Sequence, residues 1–183
     1  MSNAAASNNP VVSLTPVDHV LGAPESRLIV IEYGDFECPI CAQAYHAVKI
    51  VLKHFKQRIR FAFRHFPIVA AHPHAELAAE AAEAAGAQGK FWPMHDRLFE
   101  NQQHLKPKAL HQYAEAIGID LVRFDADLAD HIYLQRVQEH LASGRACGVH
   151  STPCFFVDGN VVDVSFGMDR LNKAIEARLA KSP

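Results

Sequence analysis

Leu28-Ile29-Val30-Ile31-Glu32-Tyr33 is a short apolar run rich in β-branched residues and closed by Gly34. It predicts a buried strand with one anomaly, the carboxylate of Glu32. From Cys38 the period changes: Ile40, Ala44, Val48, Leu52 and Phe55 recur every three or four residues and mark one face of an amphipathic helix. Pro39 fits the first turn of that helix, where its missing N–H forfeits no hydrogen bond. Ile59, Phe61 and Phe63 then alternate with Arg60, Ala62 and Arg64, the twofold period of a strand. Strand, helix and strand in succession predict a parallel βαβ unit.

The middle of the chain reads as helix throughout. Ala75 to Gln88 is built from Ala, Glu and Leu, strong helix formers. Phe91 to Asn101 and Lys108 to Ile117 predict two more helices, the second stopped by Gly118. A single further helix is expected through Leu128, Ile132, Val137 and Leu141 toward Gly144. Strand character returns in Cys154-Phe155-Phe156-Val157 and Val161-Val162-Asp163-Val164, which flank Asp158-Gly159 as a hairpin. Leu171, Ile175 and Leu179 edge a closing helix. The small, polar residues 1–16 read as a flexible tail, and residues 17–183 as one α/β domain with a helical insertion at about 70–145, between a βαβ half and a ββα half.

Composition narrows the function classes. The 183 residues are 49% apolar and 21% charged, with a net charge of −2, as in an ordinary globular protein. That balance, without a basic stripe, gives no footprint for nucleic acid. No run of about 18 apolar residues is present, so no membrane span is expected. Met1 to Pro10 lacks both the positive charge and the apolar stretch of a secretory signal. The expected compartment is cytoplasmic as the chain stands, or periplasmic if a leader has been removed.

Four cysteines are too few for a disulfide scaffold in a chain of this length. Cys38-Pro39-Ile40-Cys41 instead places two sulfurs one helical turn apart, within reach of a disulfide. Because Cys38 stands where a strand hands over to a helix, unpaired N–H groups and the helix dipole favour its thiolate. An ordinary thiol is only about 3% ionised at pH 7, and lowering its pKa by about 2 units makes it mostly thiolate. Zinc at a structural site needs about four ligands, and Cys147 and Cys154 do not form a second such pair. No metal site is therefore assigned.

The segment Glu32-Tyr33-Gly34-Asp35-Phe36-Glu37-Cys38-Pro39-Ile40-Cys41 resembles the active-site region of DsbA-like thioredoxin-fold oxidoreductases. Ser151-Thr152-Pro153-Cys154-Phe155-Phe156-Val157-Asp158-Gly159 is similar to that family's loop, in which a cis-proline faces the dithiol. The helical insertion also fits the DsbA-like branch. The resemblance spans roughly residues 17–180 and is especially close to thioredoxin-like domains appended to some bacterial sodium/proton antiporters, which share the His72-Pro73-His74 segment and the alanine-rich helix.

The resemblance implies a thioredoxin-like α/β fold and thiol–disulfide exchange with protein or peptide substrates. Cys38 would be the nucleophile, Cys41 the resolving thiol and Glu32 a buried proton shuttle. Thr152, Pro153, Pro39 and Ile40 would meet the substrate. A partner that recycles the dithiol is implied, and no dissociable cofactor. Ile40 stands where strongly oxidising members carry histidine, so a less oxidising dithiol is expected. The competing class is a non-catalytic redox-sensing or metal-binding module.

Cys154 follows the proline directly and is expected near the dithiol. With Cys147 it forms a second disulfide, relays oxidation, or is an inert buried thiol; all three readings stand. The twelve histidines are scattered, with His65 and His150 expected at the dithiol rim. Trp92, Phe61, Phe63, Phe91 and Phe99 are expected in the core.

Overall fold

The computed structural model describes residues 12–55 and 57–181. The apolar run of the sequence forms β2 (Leu28–Gly34), preceded by a short β1 (Val20–Gly22) and followed by α1 (Pro39–Phe55) and β3 (Ile59–His65). Five helices come next: α2 (Ala75–Gly86), α3 (Phe91–Glu100), α4 (Pro107–Ile117), α5 (Leu121–Ala129) and α6 (Leu134–Ala146). The hairpin β4 (Cys154–Val157) and β5 (Asn160–Val162) and the closing α7 (Asp169–Leu179) complete the chain. The hairpin turns on Asp158 and Gly159, at φ 47° and 74°, the paired positive angles of a tight two-residue loop.

The sheet order is β1-β3-β2-β4-β5, so β2 is central. It runs parallel to β3, pairing Leu28 with Ile59 and Gly34 with His65, as the βαβ pattern predicts. It runs antiparallel to β4, pairing Glu32 with Phe155 and Tyr33 with Cys154. Alternation divides the buried residues between two faces. Val30, Phe61, Phe63 and Phe155 join α1, α7 and the insertion in the larger cluster, with Cys38 and Cys41. Ile31, Tyr33, Ala62 and Phe156 pack with Phe66, Leu141 and Val149 on the other face.

Three features of the described residues depart from the sequence pattern. The three-residue β1 pairs antiparallel with β3, although its own sequence carries no strand period. The helix read through Ile132 is two helices: the chain turns at His131, where φ is 51°, and Ile132 is 56% exposed. Ile40 falls in the apolar period of α1 but is 55% exposed, and the buried face begins at Cys41. Most of the tail expected at residues 1–16 lies outside the described residues. Within its described end Val12 is buried in the second cluster, and the Ser13 carbonyl accepts from Arg64.

Candidate active site

The segment from Gly34 to Cys38 is held from several sides. Gly34 is required at the end of β2, since a Cβ there would run into the Phe63 ring. Asp35 Oδ1 accepts from the Glu37 N–H at 2.8 Å, and its Oδ2 accepts from the Ile68 N–H and from His72 Nδ1, each at 2.8 Å. Glu37 accepts from the His74 backbone N–H at 2.7 Å and from His74 Nδ1 at 3.0 Å. Gln102 Nε2 donates to the carbonyls of Phe36 and Cys38, both at 2.8 Å. The Phe36 ring sits between Phe63, Phe99 and His95. The loop is thus pinned by the lead-in to α2 and by the turn after α3.

Cys38 immediately precedes α1, and its Sγ donates to the Thr152 carbonyl at 3.6 Å. The hydrogen bond from Cys41 brings the Cys38 pKa down to about 5 against the opposing effect of burial, and the N–H groups of Cys41 and Ile40 lower it further. The Cys41 thiol is fully buried, and burial first, then its bond to Cys38 and the negative field of Glu32, push its pKa far up. Glu32 is raised to about 8, by burial and then by the charge on Cys38. Among the described residues its Oε1 has no hydrogen-bond partner, which favours the protonated acid in that apolar setting.

Across from the dithiol, the Thr152–Pro153 peptide bond is cis. Thr152 and Pro153 border a groove of about 340 Å³ whose other walls include Ile40 and Gln43 of α1 and Met168 before α7. Glu32, Cys38, Cys41, Thr152 and Pro153 are therefore brought together, with Pro39 and Ile40 exposed at the rim. The exposure that removes Ile40 from the core presents it to this groove.

Cys154 does not approach the dithiol. It pairs with Tyr33 across β2 and β4, and its side chain packs, with that of Cys147, against the second cluster on the opposite sheet face. Pro153 and Cys154 are adjacent, but strand alternation points consecutive side chains to opposite sides. Burial raises the Cys154 pKa to about 11 and raises that of Cys147, so neither thiol is activated. His65 is likewise not at the rim: it is buried and pairs with Glu83. His150 is exposed. Phe61, Phe63, Phe91 and Phe99 are core, and Trp92 is only partly buried against them.

Sequence reasoning missed Gln102 and the pairing of Asp35 with His72 and Glu37 with His74. The one available signal was two acids just before the dithiol and two histidines in a single short segment.

A family model described as thioredoxin matches residues 14–177. The chain is 45% identical over 163 residues to the Na(+)/H(+) antiporter NhaA 1 of Salinispora arenicola, and 40% identical over 161 residues to NhaA of Herminiimonas arsenicoxydans. These matches take in 89% and 88% of this chain but 25% of either relative, so the chain spans about a quarter of the antiporters' length. Among solved structures, oxidised BdbD of Bacillus subtilis superposes with a TM-score of 0.81 at 23% identity, over 89% of this chain and 93% of that one. A thioredoxin-like oxidoreductase from Silicibacter pomeroyi gives 0.80 at 25% identity, over 92% and 95%. The thiol-disulfide exchange protein alpha-DsbA2 of Wolbachia pipientis gives 0.77 at 19% identity, over 88% and 87%.

Proposed function

Because the chain belongs to the thioredoxin family and has its DsbA-like fold, we propose that it is a thiol–disulfide oxidoreductase acting on protein or peptide substrates through Cys38 and Cys41. In the reducing direction the Cys38 thiolate attacks one sulfur of a substrate disulfide. A Cys38–substrate bond forms, the substrate S–S bond breaks, and the other substrate sulfur leaves as a thiolate. With the Cys38 charge quenched in the mixed disulfide, Glu32 releases the proton it holds to solvent. The resulting carboxylate takes the proton of Cys41, which attacks the Cys38 sulfur and releases the second substrate thiolate. Two electrons pass to the substrate, and the domain is left as a disulfide. In the oxidising direction the steps reverse, and the protonated Glu32 returns its proton to Cys41 as that sulfur leaves. A partner dithiol or disulfide of opposite redox state resets the pair.

The observation that carries this reading is geometric: two thiols stand one turn apart at the head of α1, Cys38 facing the cis Thr152–Pro153 segment and Cys41 fully buried. The α1 N–H groups favour the Cys38 thiolate, while burial holds Cys41 as the thiol. An exposed Ile40 beside Thr152–Pro153 supports an extended, partly apolar substrate segment lying across the groove, pairing with the backbone there. Turnover of a test protein disulfide such as insulin, with a recycling reductant, is the direct assay. Cys38→Ser should abolish the catalysed part, and Cys41→Ser should accumulate a mixed disulfide. Wild-type turnover no faster than the reductant alone would reject the proposal.

The antiporter relatives favour a second reading, in which the same dithiol senses redox state next to a transporter. It would show cycling of the dithiol with little turnover of free protein substrates.

A further inference from the structure

A groove of about 660 Å³ lies beside the cis Thr152–Pro153 segment and takes no part in the exchange steps above. Its floor is Phe66, Leu141 and Val149, all buried. Phe66 sits on Gly144 of α6, where a Cβ would fall 2.8 Å from the ring. One wall is the segment that follows β3, with Val69 52% exposed. The other is α6, through Gln138, Leu141 and Arg145. Spaced i, i+3 and i+7, these three form a single stripe along the helix. Glu76, in the first turn of α2, faces the Gln138 end.

Both walls are tied to the dithiol. The Gly148 N–H donates to the Arg145 carbonyl at 3.0 Å and the Val149 N–H to the Gly144 carbonyl at 2.9 Å, folding the chain back on the end of α6. His150 of this groove is then followed directly by Ser151 and Thr152 of the 340 Å³ groove. On the facing wall, the Phe66 N–H donates to the Gly34 carbonyl and the Ile68 N–H to Asp35 Oδ2, each at 2.8 Å. Charge is ordered along the groove. At the end joined to Thr152, Arg145 and His150 are exposed, and among the described residues neither side chain has a hydrogen-bond or ion-pair partner. At the far end Glu76 accepts from Gln138 Nε2 at 2.7 Å and keeps its negative charge. The seven residues from Gln138 to Arg145 rise about 10 Å along the helix, the span of about three residues of extended chain.

We propose that this groove is a substrate subsite that selects the charge order of an extended peptide segment flanking the reacting cysteine. The inference rests on the thiol–disulfide reading above and adds a substrate class to it. The favoured segment carries an acidic side chain nearest the cysteine, then an apolar one, then a basic one. The acid meets Arg145, with the His150 ring beside it; the apolar side chain covers Phe66 and Leu141; the base meets Glu76. Opposite charges set about three extended residues apart over an apolar floor suit a peptide, whereas a small free anion would engage the Arg145 end alone. Complementary charge of this kind gives specificity more than raw affinity.

The test is a competition for Cys38 in the full-length Cys41→Ser chain, which holds the mixed disulfide. Two cysteine peptides of identical composition compete, one with the order acid, apolar, base counted outward from the cysteine, the other with acid and base exchanged. One is isotopically labelled, and mass spectrometry gives the ratio of adducts at Cys38. Each order is built once before the cysteine and once after it. Every ratio is divided by that for the same peptides exchanging with hydroxyethyl disulfide, which removes the effect of flanking charge on the thiol itself. On one side of the cysteine the acid-first peptide should win by about five- to tenfold at low salt, and the preference should shrink as salt is added. Adding Arg145→Glu should abolish or reverse it, and Arg145→Gln should reduce it. Equal adducts for both orders on both sides would overturn the subsite while leaving the oxidoreductase reading intact, as would an undiminished preference in folded Arg145→Glu. Failure of the wild type to turn over insulin would overturn that reading, and the subsite with it. Should Arg145→Glu fail to fold, Arg145→Gln and the ratios without an Arg145 substitution decide.

Discussion

His72 Nδ1 lies 2.8 Å from Asp35 Oδ2, the carboxylate oxygen that also accepts from the Ile68 N–H. Its other oxygen accepts from the Glu37 N–H, so one buried side chain organises the backbone leading into Cys38. Hydrogen bonds to charged groups contribute about 1.5–3 kcal/mol. His72→Ala should therefore lower stability by about that amount in urea titrations and raise the Cys38 pKa as the loop loosens. His72→Asn, which can present an N–H in the same place, should recover much of both. Thiolate absorbance against pH separates this positioning role from plain destabilisation: a stability loss with unchanged Cys38 ionisation would refute it.

Ile40 contributes its backbone N–H to the Cys38 thiolate but no side-chain donor. A histidine there would place a donor, and at lower pH a positive charge, beside the sulfur. Ile40→His should lower the Cys38 pKa further and make the dithiol more oxidising. Each unit of thiol pKa corresponds to about 1.36 kcal/mol, or roughly 30 mV for a two-electron couple. Equilibration with glutathione measures the potential, and an unchanged value would show that residue 40 does not tune it.

The strands and helices that place the dithiol were legible because their apolar periods are strong and their ends are marked by Gly34, Pro39 and Gly118. The break at His131 was not, since the apolar spacing of Leu128, Ile132 and Val137 suits a continuous helix and nothing local announces the turn. At β1, three residues pair only because β3 offers an edge. Cys38, Cys41 and Pro153 could be read from spacing and resemblance. The loop clamp and the buried pair of His65 and Glu83 could not, because polar residues take meaning there only from neighbours distant in sequence. Adjacency to Pro153 misled in the case of Cys154, since one step along a strand reverses the side chain.

That reversal has a direct consequence. Cys154 faces Tyr33 and Phe156 on the sheet side away from Cys41. Cys154→Ala should leave the exchange rate and the Cys38–Cys41 potential within error of wild type, costing only about 1 kcal/mol for the small volume lost. Insulin turnover and the glutathione equilibrium provide the check. A large fall in rate with unaltered stability would mean that Cys154 takes part in the redox cycle after all.

Glu32 and Cys38 act on stability with opposite signs. Glu32 rises from an ordinary 4.5 to about 8 on folding, so the folded chain holds a proton that the unfolded chain releases. Its contribution is complete below pH 4.5 and is lost at about 1.36 kcal/mol per pH unit as pH climbs toward 8. Cys38 falls from 9.0 to about 5, so its contribution grows over pH 5–9. In the reduced protein the two slopes largely cancel between pH 5 and 8. In the disulfide form Cys38 no longer titrates, and the loss from Glu32 stands alone. Oxidised Glu32→Gln should therefore match oxidised wild type most closely near pH 5 and gain on it as pH climbs, by up to about 1.36 kcal/mol per unit. The range is shorter than in the reduced protein because the Cys38 charge that helps raise Glu32 is gone. The same variant should lose an ionisation near pH 8 from the pH–rate profile of exchange. Urea unfolding of both oxidised proteins at several pH values tests the thermodynamic half; a difference that does not change with pH would show that Glu32 is ionised in the fold and is no reservoir for the Cys41 proton.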